Sequence, residues 1–426
     1  MINLFLFHMK IHLLNLGCDK NRVDGEKLLA KLLGSGCVAV AAPKQADLIV
    51  VNTCGFIKEA KEESIQTIME MSQHAKVAVT GCLSQRYGRQ LAEKMPEADQ
   101  IFGLADGEIT FEKIRQRYGL KKQACAHEPR SLTGLFHSAP LKIAEGCNNC
   151  CAYCAIPLIR GSVVSIQEKG ILDEARFLSE KGVRECLIVA QDITAYGKGM
   201  GLPALLRKLA RLPRPFTWIR LMYCHPAGVS NELIEVIASE PLIVKYIDLP
   251  LQHIVDPILK RMNRRYTRAY AEKLIRKLRD AVPEIALRTT FLLGFPGEKD
   301  ADFSDLVSFV KDQEFDRMGV FGYSSEEGTK AFTLRGRVPQ KTIAQRIEAL
   351  MTLQNTILFR KNSTLTGKTL PVIIDTKESE TVFIGRTQRD APEIDCSVII
   401  TRPNLKPGDI VEVRITGFTG YDLHAV

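Results

Sequence analysis

No apolar run in the 426 residues approaches the roughly 20 that a helix needs to span a bilayer, which excludes a helical membrane protein. The opening Met1-Ile2-Asn3-Leu4-Phe5-Leu6-Phe7-His8 is apolar but short, with no basic start and no small-residue cleavage site, so it is not a secretory leader. The functional start is either Met1 or Met9, and in the second case residues 1–8 are a non-native or disordered extension. The spacing of a zinc ribbon, two CxxC pairs set apart by a loop, is also missing. Basic residues are scarce in one region: residues 364–426 hold seven Lys/Arg against nine Asp/Glu, a balance of −2, so of the net charge of +9 the first 363 residues carry +11. A tail without clustered Lys/Arg is a poor phosphate grip.

Hydrophobic content of 45% and charged content of 25% are those of a soluble globular protein, and the length calls for two or three cores. Twelve cysteines are many. A chain this long does not need disulfides for stability, so they argue for metal ligation in a reducing cytosol and a cytoplasmic protein.

Ile11–Leu16, Asp47–Asn52 and Lys76–Thr80 are short apolar runs, and each leads to a helical pattern: Gly25–Leu33, Glu59–Gln73 and Gln85–Lys94. This alternation predicts an α/β domain with a doubly wound parallel sheet. The runs end at Gly17-Cys18, Thr53-Cys54-Gly55 and Gly81-Cys82, where open α/β sheets bind ligands. Cys18, Cys54 and Cys82 lie about one βα unit apart, so their loops can converge on one metal site. Three unrelated buried cysteines are the alternative.

Residues 120–138 lack periodicity and read as a linker. Six further strands follow at Lys142–Glu145, Glu185–Gln191, Thr217–Tyr223, Lys245–Pro250, Leu287–Leu293 and Arg317–Tyr323, with helices between them. They predict an incomplete (β/α)6 barrel with its chemistry at the C-terminal strand ends. A helix over Pro339–Phe359 leads to a last stretch of alternating residues and Gly/Pro turns, which predicts a small all-β barrel. The expected boundaries are 9–125, a linker 126–138, 139–363 and 364–426.

Cys147, Cys151 and Cys154 form a CxxxCxxC triplet just after the first strand of the second series. Three thiolates so spaced can hold three corners of a 4Fe–4S cubane and leave one iron open. Cys147-x2-Cys150-x3-Cys154 is an equally compact alternative.

The CxxxCxxC triplet resembles the signature of the radical SAM superfamily, whose spacing selects Cys151. The resemblance implies that Cys147, Cys151 and Cys154 hold the catalytic cluster, that its open iron chelates S-adenosylmethionine, and that Tyr153 lies beside the adenine. Asn15-Leu16-Gly17-Cys18-Asp19-Lys20-Asn21, Val51-Asn52-Thr53-Cys54-Gly55-Phe56 and Gly81-Cys82-Leu83-Ser84-Gln85-Arg86-Tyr87 match the N-terminal domain of the methylthiotransferases, and the likeness runs over nearly the whole chain from Met9. It implies a second 4Fe–4S cluster on Cys18, Cys54 and Cys82 that carries the inserted sulfur. It further implies one S-adenosylmethionine as methyl donor and another as radical source, and a TRAM-like tail.

Leu16-Gly17-Cys18-Asp19-Lys20-Asn21, Gln191-Asp192-Ile193-Thr194-Ala195-Tyr196-Gly197, Phe321-Gly322-Tyr323-Ser324-Ser325-Glu326-Glu327-Gly328-Thr329 and Asp390-Ala391-Pro392-Glu393-Ile394-Asp395 are similar to the branch that modifies the β-carbon of an aspartate in small-subunit ribosomal protein twelve. Alternatives are a tRNA adenosine methylthiotransferase and a non-catalytic iron–sulfur protein that binds RNA or the ribosome. The resemblance implies the ribosomal protein and an electron donor such as flavodoxin or ferredoxin as partners, with no membrane and with RNA contact not favoured.

Gln191, Asp192, Gln252 and His253, at expected strand ends, are candidates for cofactor or substrate contact. Gly294, in Gly294-Phe295-Pro296-Gly297-Glu298, would let backbone approach the cofactor, unless it is a plain turn. Arg264 would pair with the S-adenosylmethionine carboxylate, unless it is one surface charge among Lys260, Arg261 and Arg265. Cys37, Cys125, Cys150, Cys186, Cys224 and Cys396 are read as structural. After Arg160-Gly161 the family usually continues with basic residues, whereas this chain reads Ser162-Val163-Val164-Ser165-Ile166, so local contacts to substrate or electron donor are expected to differ.

Overall fold

The computed structural model describes residues 8–121, 128–199 and 201–426. Cys125 and the first seven residues of the expected extension lie outside the described residues. The chain divides into two compact units, 1–134 with 154–161, and 135–153 with 162–426.

The first unit contains β1 (Lys10–Asn15), α1 (Asp19–Gly34), β2 (Val38–Ala39), β3 (Leu48–Thr53), α2 (Lys58–Ser72), β4 (Lys76–Gly81), α3 (Cys82–Lys94), β5 (Gln100–Ile101), α4 (Glu108–Arg117) and α5 (Ile156–Arg160). Its sheet is parallel in the order β2-β1-β3-β4-β5. Every residue of β3 is buried because both sheet faces are covered. Leu48 and Val50 pack with Leu28, Leu32 and Phe111 on one face; Ile49 and Val51 pack with Ile68, Leu83 and Leu91 on the other. This is a doubly wound fold, and its strand order switches direction between β1 and β3. Part of the aperiodic segment is also fixed here. Arg130 is fully buried and pairs with Glu26, whose Oε1 accepts from Thr133 N at 2.7 Å and from Thr133 Oγ1 at 2.6 Å.

The second unit runs β6 (Ser138–Lys142), β7 (Ala144–Glu145), β8 (Val164–Ser165), α6 (Glu168–Glu180), β9 (Glu185–Val189), α7 (Gly201–Leu209), β10 (Trp218–Leu221), α8 (Asn231–Ser239), β11 (Ile243–Asp248), α9 (Asp256–Arg261), α10 (Arg268–Ala281), β12 (Ala286–Leu293), α11 (Asp300–Gln313), β13 (Arg317–Gly322) and α12 (Gln340–Ser363). The six strands of its main sheet are parallel in the order β6-β9-β10-β11-β12-β13. The first differs from the expectation. The sheet opens at Ser138, within the segment read as a linker, and Ala144–Glu145 belongs instead to a small antiparallel ribbon with β8. His137, Ser138 and Pro140 dilute the apolar signal of this strand, although all five of its residues are buried.

The tail forms a closed barrel of β14 (Thr369–Lys377), β15 (Val382–Thr387), β16 (Val398–Thr401), β17 (Ile410–Thr419) and β18 (Asp422–Ala425), filled by Val372, Phe383, Ile400 and Leu423 among others. It sits across the N-terminal strand ends of the parallel sheet. Ile373 and Ala391 enter the same apolar cluster as Trp218, Tyr246 and Ala286. Around them lies a buried network of charges. Arg386 donates to Glu185 at 2.8 Å and to Asp375, while Arg220 donates to Glu185 at 2.7 Å and to Gln388 O at 2.8 Å. Arg317 pairs with Asp390, and Arg288 and Tyr246 both donate to Asp395.

Removing one partner of such a network strands a charge in the interior, which costs about 3–5 kcal/mol. Arg386→Ala is therefore expected to lower the urea midpoint of the second unit's unfolding. Burial pushes the Glu185 carboxyl up, but the charges of Arg386 and Arg220 outweigh it and hold the group at about 2, against an ordinary 4.5. With a depressed folded value, its contribution is complete above about 4.5 and is lost as the pH falls towards about 2. Unfolding followed across that window should show a shallower pH dependence in Arg386→Ala.

Candidate metal and cofactor site

The first unit brings the three strand-end cysteines together. Cys18 precedes α1, Cys54 follows β3 and Cys82 opens α3. Gly17 has φ +85°, and a Cβ there would lie 2.8 Å from Cys54 Cβ and 2.9 Å from its Sγ. At Gly55 a Cβ would lie 2.6 Å from the Leu83 Cα, beside Cys82. Glycine next to the cysteine thus permits each loop to close on the next. The Asn21 amide, buried, donates to Leu16 O at 2.8 Å, Asn52 O at 3.3 Å and Thr53 O at 3.2 Å, so one side chain ties the loops that carry Cys18 and Cys54.

Burial pushes the Cys54 thiol up and takes Cys82 to about 11; the neighbouring cysteines add to both, and Arg160 opposes the rise at Cys82. Cys54 and Cys82 are therefore poor as isolated thiolates and suited to a shared cation, which replaces their protons. The donor set therefore fits a three-thiolate cluster.

In the second unit Cys147 and Cys151 are half-buried, and burial raises the Cys147 thiol, with Asp192 and Cys151 adding to the rise. Cys154, also half-buried, begins the 154–161 segment of the first unit. Asn149 N–H points at Cys147 Sγ at 3.5 Å and its Nδ2 donates to Asp192 at 2.8 Å. The other Asp192 oxygen accepts from Thr194 Oγ1 at 2.6 Å and from His225 N at 3.3 Å. Both Asp192 oxygens are thus taken by protein, and the residue braces the cysteine loop.

Arg264, buried, directs Nη1 towards Cys151 Sγ at 3.7 Å and donates to Pro250 O and to Tyr266 Oη. Cys150 differs from its neighbour. It is exposed, with φ +50°, and its carbonyl accepts from Asn263 Nδ2 at 2.8 Å. Tyr153 packs with Ala152, Met262 and Phe295.

Gln191 Nε2 donates to Glu145 Oε1 at 2.7 Å, while its own Oε1 is buried and has no hydrogen-bond partner among the described residues. An orphaned acceptor at a strand end suits a ligand that brings an N–H or O–H. Gln252 bridges β11 to β12: its N–H donates to Thr290 O at 2.7 Å, and its φ is +68°. Tyr223, Gln252, Asn263 and Cys150 are four of the eight positive-φ non-glycine residues among those described, a concentration of backbone strain typical of ligand sites. His253 is fully buried and lowered to about 4 by burial; its Nδ1 accepts from Val255 N at 3.1 Å, and its Nε2 has no hydrogen-bond partner among the described residues. At Gly294 (φ +77°) a Cβ would meet Ile343 Cδ1 at 2.3 Å, so the close packing of α12 accounts for the glycine.

Sequence reading missed Arg160 and Asp24, which join below Cys82, because their partnership spans 136 residues and no local period marks it.

The sequence models of an uncharacterized protein family, UPF0004, of the radical SAM superfamily and of the TRAM domain match residues 10–103, 141–310 and 366–426. Proteins described as ribosomal protein uS12 methylthiotransferase RimO are 42% identical in Geotalea uraniireducens and 43% in Geobacter sulfurreducens, each match covering 97% of both chains. A third, from Caldanaerobacter subterraneus, is 43% identical over 97% of this chain and 98% of its own. Among solved structures, the radical S-adenosylmethionine methyltransferase TsrM from Kitasatospora setae aligns with a TM-score of 0.56 at 14% identity, over 73% of this chain and 72% of that one. The cobalamin-dependent enzyme OxsB aligns at 0.53 and 11%, over 82% and 58%. These two share the fold. With its cysteine sets and with relatives this similar along nearly its whole length, the chain belongs to the radical SAM methylthiotransferases of the RimO type.

Proposed function

We propose that this enzyme methylthiolates the β-carbon of an aspartate in ribosomal protein uS12. The observation that carries the reading is the 40–43% identity to relatives bearing that description, at nearly full length. Cys18, Cys54 and Cys82 would hold the sulfur-supplying 4Fe–4S cluster, and Cys147, Cys151 and Cys154 the S-adenosylmethionine-binding one. When bound, these groups supply the hydrogen-abstracting radical, the sulfur and the methyl group.

The protein's own part is to hold and shield. Asn149 and Asp192 brace Cys147, and Arg264 places positive charge beside Cys151. Gln191 offers its unpartnered Oε1 to a cofactor donor. Tyr153, Asp192, Gln252 and the Gly294 backbone are the remaining proposed cofactor contacts.

The tail favours a protein substrate over an RNA phosphate backbone. It is net acidic, and two of its seven basic residues, Arg386 and Arg389, are held in ion pairs with Glu185, Asp375 and Asp316. An acidic surface complements a basic ribosomal protein. The proposed divisions are 9–125, a linker 126–138, 139–363 and 364–426. No helix among the described residues is long and apolar enough to cross a membrane, and we place the enzyme in the cytoplasm with a flavodoxin or ferredoxin as electron donor.

Mass spectrometry of uS12 from a deletion strain should lack the methylthio mass; unchanged uS12 with altered tRNA nucleosides would transfer the substrate to tRNA. The reduced enzyme should cleave S-adenosylmethionine to 5′-deoxyadenosine, and Cys151→Ser should abolish this while Cys150→Ser keeps it. Retention in the first and loss in the second would reverse the ligand assignment. Iron analysis should find about eight atoms, with about four lost when either cysteine triplet is replaced.

A further inference from the structure

The helix that follows Cys154, α5, ends at Arg160, and there its guanidinium leaves solvent: the side chain is 1% exposed. A cation so placed needs strong partners. Nη1 donates to Asp24 Oδ2 at 2.7 Å, and the Asp24 side chain is itself 0% exposed. Nη2 donates to Asn21 Oδ1 at 3.1 Å and to Cys82 Sγ at 3.3 Å. Asn21 is the residue whose amide gathers the Cys18 and Cys54 loops, so Arg160 touches Cys82 directly and the other two cysteine loops through Asn21. Ala155 and Ile159 pack with Cys82 in one apolar cluster, which keeps water from the Arg160–Cys82 contact.

We propose that Arg160 is a positioning and charge-tuning residue of the sulfur-supplying cluster, donating a charged hydrogen bond to the Cys82 sulfur from a guanidinium anchored on Asp24 and Asn21. The inference rests on the assignment of that cluster to Cys18, Cys54 and Cys82. A buried cation and an N–H at a ligand sulfur favour the reduced, more negative state of an iron–sulfur cluster, raising its potential. Asp24 compensates part of the charge, but the hydrogen bond to sulfur is Arg160's own. The same short segment therefore carries a proposed ligand of one cluster, Cys154, and a tuning group of the other.

The test uses the full chain with Cys147, Cys151 and Cys154 replaced by alanine, so that only the cluster of interest remains. Reconstituted anaerobically, this parent should hold about four irons. If it holds none, the cluster assignment fails, and Arg160 is not the reason.

Against that parent, Arg160→Gln should decrease the reduced-to-oxidised ratio at fixed potential about tenfold, which is about 59 mV to more negative values for a one-electron couple. The cluster's electron paramagnetic resonance signal should change with it. Arg160→Lys, which keeps the charge, should recover at least half of the shift. If Arg160→Gln does not fold because the Asp24 charge loses its arginine, Asp24→Asn with Arg160→Gln removes both charges of this pair and carries the same measurement. A folded Gln variant with the parent's potential and signal, or a Lys variant no nearer the parent than the Gln variant, overturns the proposal.

Discussion

A single buried amide organises the N-terminal unit. Asn21 donates to three carbonyls on the two loops that flank the switch in strand order, and its oxygen receives Arg160. Three cysteines from loops 36 and 28 residues apart meet only if those loops approach more closely than side chains usually permit. Glycine removes the steric obstacle and Asn21 supplies the attraction. Burial then makes the Cys54 and Cys82 thiols costly to ionise alone, so the site favours a shared cation over separate thiolates.

The three long strands of the first unit were legible because residues buried on both faces must be apolar throughout, as the run from Leu48 to Val51 is. The two-residue edge strands β2 and β5 were too short to leave a pattern. The convergence of Cys18, Cys54 and Cys82 followed from their common position at strand ends. The start of the second sheet was not legible: Ser138 and Pro140 are buried by tertiary packing that no local pattern announces. Among the cofactor candidates, Gln191 has an acceptor without a partner among the described residues and Arg264 turns towards Cys151, while Asp192 accepts from Asn149 and Thr194 and Gly294 packs against Ile343. Position along a strand is readable from sequence, but which neighbour uses up a side chain's hydrogen bonds is not. Arg160 makes the same point, since a buried charged pair far apart in the chain has no local signature.

The segment Asp390-Ala391-Pro392-Glu393-Ile394-Asp395 bears on the tail's role. Asp390 and Asp395 take arginines from β13 and β12, and Ala391 fills the apolar space between them. In this chain the small barrel is thus part of the wall of the catalytic domain. Charge spent inward on Glu185 and Asp316 is unavailable to nucleic acid outside.

That inward wiring has a consequence for biosynthesis. Glu185 stands at the start of an early strand, and Arg386 is made 201 residues later. While the chain is still emerging from a ribosome, the parallel sheet carries one unfinished end with buried acids and bases awaiting their partners. Contacts this distant in sequence close late and slowly. The buried acids and bases at that end of the sheet therefore find their last partners only when the tail has been made.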